Sequence, residues 1–77
     1  MMMEFSQGKV IVAGQEIVVR LNQASVTLQA HIDGVQLLLP GCVLLANGAE
    51  CKWSLKLDNQ QQVEQIAQAT GIEIITV

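Results

Sequence analysis

Cys51-Lys52-Trp53-Ser54-Leu55-Lys56-Leu57-Asp58-Asn59-Gln60-Gln61-Gln62-Val63-Glu64-Gln65-Ile66-Ala67-Gln68-Ala69-Thr70-Gly71 changes its hydrophobic period halfway along. As far as Leu57, apolar and polar residues alternate. Cys51, Trp53, Leu55 and Leu57 share one face, and Lys52, Ser54, Lys56 and Asp58 share the other. Such alternation marks a strand with one buried side. Beyond Asp58 the spacing becomes helical, with Val63, Ile66, Ala67 and Thr70 on one side and Gln60, Glu64, Gln65 and Gln68 on the other. Asp58-Asn59 supplies an N-cap, Gln61 or Gln62 stands where a capping-box partner belongs, and Gly71 suits the residue after the last turn. The spacing predicts one C-terminal helix over about 59–70. So short a helix is marginal alone, so its apolar stripe must pack on a sheet.

Upstream the period stays at two. Ile17, Val19 and Leu21 oppose Glu16, Val18, Arg20 and Asn22, while Val26, Leu28, Ala30 and Ile32 oppose Ser25, Thr27, Gln29 and His31. Asp33-Gly34 and Asn47-Gly48 suit tight type I′ hairpin turns. Ala13-Gly14-Gln15 and Ser6-Gln7-Gly8 read as slightly longer turns, and Pro40-Gly41 as a type II turn. The expected fold is mainly β (α+β): an antiparallel meander of six to seven strands, bent or closed into a partial barrel. The strands fall near 2–5, 9–13, 16–22, 25–32, 35–39, 42–46 and 50–57. The helix follows, and Ile72-Glu73-Ile74-Ile75-Thr76-Val77 reads as a short final strand.

Seventy-seven residues make a single domain, 1–77, and a domain this small needs help beyond its own core. The core is aliphatic, since Phe5 and Trp53 are the only aromatics. Two cysteines without a secretory signal fit a reducing, cytoplasmic setting, where they pack as small hydrophobes. Leu38-Leu39-Pro40-Gly41-Cys42 superficially resembles a lipoprotein cleavage box but lies mid-chain. The net charge is −3, and Lys9, Arg20, Lys52 and Lys56 are scattered singly. That pattern makes no footprint for nucleic acid. No apolar run reaches the ~18 residues of a membrane span.

Nothing here assembles a catalytic, cofactor or metal site. His31 is the sole histidine, and on the polar face of a strand it reads as a solvent residue. Cys51 belongs to an apolar face, so alternation keeps it from His31, whereas a Cys–His pair must share one site. In the hairpin register set by Asn47-Gly48, Ala46 pairs with Ala49, Cys42 lies opposite Trp53 and Cys51 opposite Leu44, which disfavours a disulfide. The acidic residues are dispersed. No glycine loop precedes the helix to cradle phosphate.

The segment Val35-Gln36-Leu37-Leu38-Leu39-Pro40-Gly41-Cys42-Val43-Leu44-Leu45-Ala46 is apolar on both faces of its hairpin. One face serves the core. The other is either covered by the helix or the final strand, or it is an association surface. The candidate interface residues are Leu38, Leu44, Val18 and Ile75, with Ile11 beside them. The expected function is a non-enzymatic protein-interaction or structural module that self-associates through the 35–46 hairpin, its partner a second copy (a homodimer) or another protein. A module binding a small apolar ligand or lipid is the alternative, and an enzyme gathering His31 with a carboxylate the third.

Trp53-Ser54-Leu55-Lys56-Leu57-Asp58-Asn59, followed by a helix carrying Val63, Ile66 and Ala67, resembles the close of a pleckstrin-homology-like domain. The resemblance covers residues 9–70 and implies a bent sheet or partial barrel plugged by the helix. The chain adds a strand after that helix and lacks a basic cluster in its early turns, so phosphoinositide binding is not implied. The Glu-Phe-Ser-Gln-Gly-Lys stretch at 4–9 and the Cys-Lys-Trp-Ser-Leu-Lys-Leu-Asp stretch at 51–58 also resemble a small family of uncharacterised proteins from marine gammaproteobacteria. That likeness brings no activity with it.

Overall fold

The computed structural model describes residues 1–23, 26–48 and 52–76. Among them are eight strands in two four-stranded sheets, with one helix. The strands are β1 (Met2–Phe5), β2 (Gly8–Ala13), β3 (Glu16–Leu21), β4 (Thr27–His31), β5 (Val35–Leu39), β6 (Val43–Asn47), β7 (Lys52–Lys56) and β8 (Ile74–Thr76). The helix α1 (Gln60–Thr70) lies between β7 and β8.

The meander is real within each half and broken between them. The first sheet has the order β1-β2-β3-β4, antiparallel throughout, and the second the order β7-β6-β5-β8. β4 and β5 belong to different sheets, so Asp33-Gly34 does not close a hairpin. It sits in a 3-10 turn, Ile32–Gly34, that turns the chain from one sheet to the other, with the His31 side chain accepting from the Asp33 N–H. A tight reversal is common to both arrangements, and the dipeptide signals only the reversal. Two open sheets therefore replace the expected continuous bent sheet, and they do not close into a barrel.

The inner faces follow the alternation. Met3, Val10, Val19 and Leu28 form one cross-strand row, and Val12, Ile17 and Ala30 the next. In the second sheet Leu37, Leu44 and Leu55 align, as do Val35, Ala46 and Trp53. Val10, Ile17, Val19, Leu37 and Leu44 are wholly buried, and no buried residue among those described is polar or charged. Gly8 is required by space: a Cβ there would stand 1.9 Å from the Arg20 carbonyl oxygen.

The β6–β7 hairpin pairs Ala46 with Trp53 and Asn47 with Lys52. The register differs from the expected one: Trp53 lies opposite Ala46 instead of Cys42, and Leu44 opposite Leu55. The connection is longer than the two-residue turn that Asn47-Gly48 suggested. The shift is an even number of residues, so every side chain keeps its face. The expected placements of Ser25, Ala49, Cys51 and Val77 fall outside the described residues. At Pro40-Gly41 the expected type II turn is also corrected. The Leu39–Pro40 bond is cis, and the left-handed residue is Cys42 (φ 56) rather than Gly41.

α1 packs against β2, β5 and β8, so it closes the open side between the two sheets. Val63 and Ile66 are completely buried there. Burying two such side chains contributes about 3–6 kcal/mol, which a helix of this length needs. Its N-cap is Asn59, whose side chain accepts from the Gln62 N–H at 3.0 Å. Gln62 in turn accepts from the Asp58 N–H at 2.8 Å, a reciprocal box reaching one residue further back than usual. Gly71 (φ 79) ends the helix, and its N–H donates to the Ala67 carbonyl. The last strand then lies parallel beside β5, pairing Leu37 with Ile74 and Leu38 with Ile75. No described helix is long and apolar enough to cross a membrane.

Candidate interaction surface

The second sheet's outer face is built by the same alternation that fills the core. Leu37 and Leu44 turn inward, so their neighbours Leu38, Val43 and Leu45 turn outward. Leu38 pairs with Val43 on one side and with Ile75 on the other. The result is a cross-strand row, Lys56–Val43–Leu38–Ile75, spanning β7, β6, β5 and β8. The neighbouring row is Ser54–Leu45–Gln36. Ile75 is 41% exposed, and Leu38, Val43 and Leu45 are half-buried. Helix and final strand leave this face open, since α1 packs on the core side and β8 extends the sheet sideways.

The four expected interface residues are divided by this arrangement. Leu38 and Ile75 are neighbours on the open face. Leu44 is wholly buried and belongs to the core, because it follows outward-facing Val43 by one residue. Val18 lies on the outer face of the first sheet, in the row Met2–Ile11–Val18–Gln29. That stripe is bordered by Lys9, Glu16 and Arg20, of which Arg20 has no ion-pair partner among the described residues. Lys9 stands 4.0 Å from Glu4, and Glu16 accepts from Gln29 at 2.5 Å. On the second sheet Lys52 and Lys56 of β7, and Glu73 just ahead of β8, are exposed, and none has an ion-pair partner among the described residues. The 35–46 segment alone did not reveal this charge pattern, which needs the β7 and β8 registers.

His31 stands on β4 with Asp33 just after it, their side chains 55% and 87% exposed and 3.5 Å apart. Its strand partner is Glu16. Cys42, in the β5–β6 connection, is on the other sheet, so the described thiol and the imidazole are not brought together. No group of three or more metal-ligating side chains gathers among the described residues. A shallow depression along α1 is lined by Gln61, Glu64, Gln65 and Gln68, the wet side of the helix.

A second polar feature joins distant parts of the chain. Asp58 receives the Ser6 hydroxyl at 2.5 Å and the Ser6 N–H at 2.8 Å, while Gln62 reaches both Asp58 and the Glu4 carbonyl. The turn between β1 and β2 is thereby tied to the start of α1. The Ser6 hydroxyl, then the Ser6 N–H, then Gln62 hold the Asp58 carboxyl below its ordinary value of 3.8, against partial desolvation. The cap role of Asp58-Asn59 was readable from spacing. The bond to Ser6, 52 residues away, carried no local signal.

The family described as "Protein of unknown function (DUF3389)" matches residues 1–74 of the chain. No curated protein and no solved structure matches it.

Proposed function

We propose that this chain, which belongs to the DUF3389 family, is a non-enzymatic protein-interaction module that associates with a second copy of itself through the outer face of the second sheet. The observation that carries this reading is the outward-facing apolar row Val43–Leu38–Ile75, exposed at Ile75 and half-buried at Val43 and Leu38, in a small domain whose helix packs on the opposite side of the sheet. Its setting in a reducing, cytoplasmic compartment is part of the same proposal. A pleckstrin-homology-like arrangement is part of this proposal only as an alternative description of the fold, and it assigns no ligand or role.

Face size sets the strength. Four strands of about five residues give a face of about 19 by 17 Å, well below the ~800 Å² per partner of a standard interface. The dimer is therefore weak, with a Kd of about 1 µM or higher. Sedimentation equilibrium from about 1 µM to about 1 mM reads this directly. Leu38→Lys, a change at a half-buried outward position, is expected to leave the fold intact and abolish the dimer. A wild-type chain that stays monomeric across that range rules the reading out.

A further inference from the structure

Face-to-face association of two such sheets has two simple symmetric solutions, and charge separates them. With the two-fold axis running across the strands, β7 lies over β7 and β8 over β8. The strands then run in opposite directions, so with the axis over the Ser54 row Lys52 of one copy meets Lys56 of the other, and Glu73 meets Glu73. With the axis running along the strands, each copy turns its β8 edge onto the partner's β7 edge. Continuing the parallel β5–β8 register by two residues from the Leu38–Ile75 pair places Glu73 at the end of the row Ser54–Leu45–Gln36. In the second arrangement Glu73 of one copy faces Ser54 of the other. Lys52 and Lys56 stand one two-residue repeat, about 6.7 Å, to either side of Ser54. Packed sheets lie about 10 Å apart, a gap that a lysine and a glutamate bridge between them.

Resting on the self-association proposed above, we infer that the partner copy is held in this second arrangement, with Glu73 of each copy seated between Lys52 and Lys56 of the other. Leu38, Val43 and Leu45, on the two middle strands, meet near the axis. All three charged residues are exposed and lack an ion-pair partner within the described chain, so the arrangement satisfies charges the single chain leaves unused. The unfavourable alternative gathers four lysines on one side of the interface. Like charges set against each other suppress a wrong register as effectively as matched ones favour the right one.

Charge reversal tests the geometry. Glu73→Lys, and Lys52→Glu with Lys56→Glu, are made in the full chain and examined by native mass spectrometry and sedimentation at low salt. Each variant alone is expected to dimerise at least tenfold more weakly than the parent. An equimolar mixture is expected to recover parental affinity as a heterodimer, because one interface half carries the reversed set and the other the original. Raising the salt shrinks both effects. Glu73→Gln, a milder change checked by its melting curve, covers the case in which a reversed variant fails to fold. If Leu38→Lys abolishes the parental dimer but the charge variants dimerise normally, or the mixture recovers nothing, this arrangement is wrong while the interface stands. If the parental chain is monomeric, or dimerises unaffected by Leu38→Lys, the interface itself falls.

Discussion

Replacing Gly8 by alanine is the sharpest test of the first sheet. The new Cβ would lie 1.9 Å from the Arg20 carbonyl oxygen, 2.9 Å from its carbon and 3.0 Å from the Leu21 Cα. All three are backbone atoms of β3, so no side chain can rotate out of the way. β2 and β3 would have to part by more than 1 Å where strands normally sit about 4.8 Å apart. Gly8 pairs with both Phe5 and Leu21, so the distortion reaches two ladders. Losing two or three ladder hydrogen bonds, at about 1 kcal/mol each, together with misfit around Phe5, gives a loss of about 3–4 kcal/mol. A chain of this length has about 4–12 kcal/mol in total. Urea unfolding followed by far-ultraviolet circular dichroism should show a midpoint lowered by about 3–4 M for a slope near 1 kcal/mol/M, or no folded baseline. A midpoint within about 0.5 M of the parent would refute the argument. Gly71→Ala is the contrasting control. A Cβ there meets nothing within 4 Å, and the loss comes only from φ 79, about 1–2 kcal/mol. Asparagine should recover part of it.

Ile66→Ala, at a completely buried position under α1, should cost about 2–5 kcal/mol by urea unfolding; a loss below 1 kcal/mol would mean the helix does not hold the two sheets together. Ser6→Ala removes the main bond holding the Asp58 carboxyl low, so a carbon-detected titration should find that pKa raised toward 3.8. The sign follows from linkage: a depressed carboxylate stabilises the fold above its unfolded pKa and loses that contribution as the pH falls through its folded value. The parent and Asp58→Asn should therefore differ in stability at neutral pH and converge below pH 3.8. Trp53→Phe deletes an indole N–H donating to the Gln29 carbonyl at 3.4 Å, a long bond whose loss should cost no more than about 1 kcal/mol.

Strands and helix were readable because each rests on a local period. β1 and β5 coincide with the expected spans 2–5 and 35–39, and the body of α1 falls where helical spacing and capping place it. Pairing was not readable to the same degree, because alternation says which way a side chain points and nothing of which neighbour it meets. Asp33-Gly34 marks a reversal, yet the chain there passes from one sheet to the other. Asn47-Gly48 marks a turn, yet the ladder starts at Asn47 and Lys52. The parallel docking of β8 on β5 has no local signature at all. For the interaction surface, the doubly apolar hairpin was visible, but Leu44 and Leu38 are both leucines in an apolar run, and parity alone separates them. Val43 and Glu73 gain their place only from registers that join β6, β5 and β8.

The displaced register of the β6–β7 hairpin carries a rule about its history. Moving that ladder by an even number of residues leaves Trp53 and Leu55 in the interior and Lys52 and Lys56 outside. Lengthening or shortening the connection by a pair of residues is a change the sheet absorbs. A single inserted residue ahead of Lys52, if the ladder then slid to accommodate it, would carry two ammonium groups into an interior that holds no polar side chain among the described residues. Length variation at this hairpin should thus be counted in twos, and a one-residue change should be accompanied by a bulge that restores the parity.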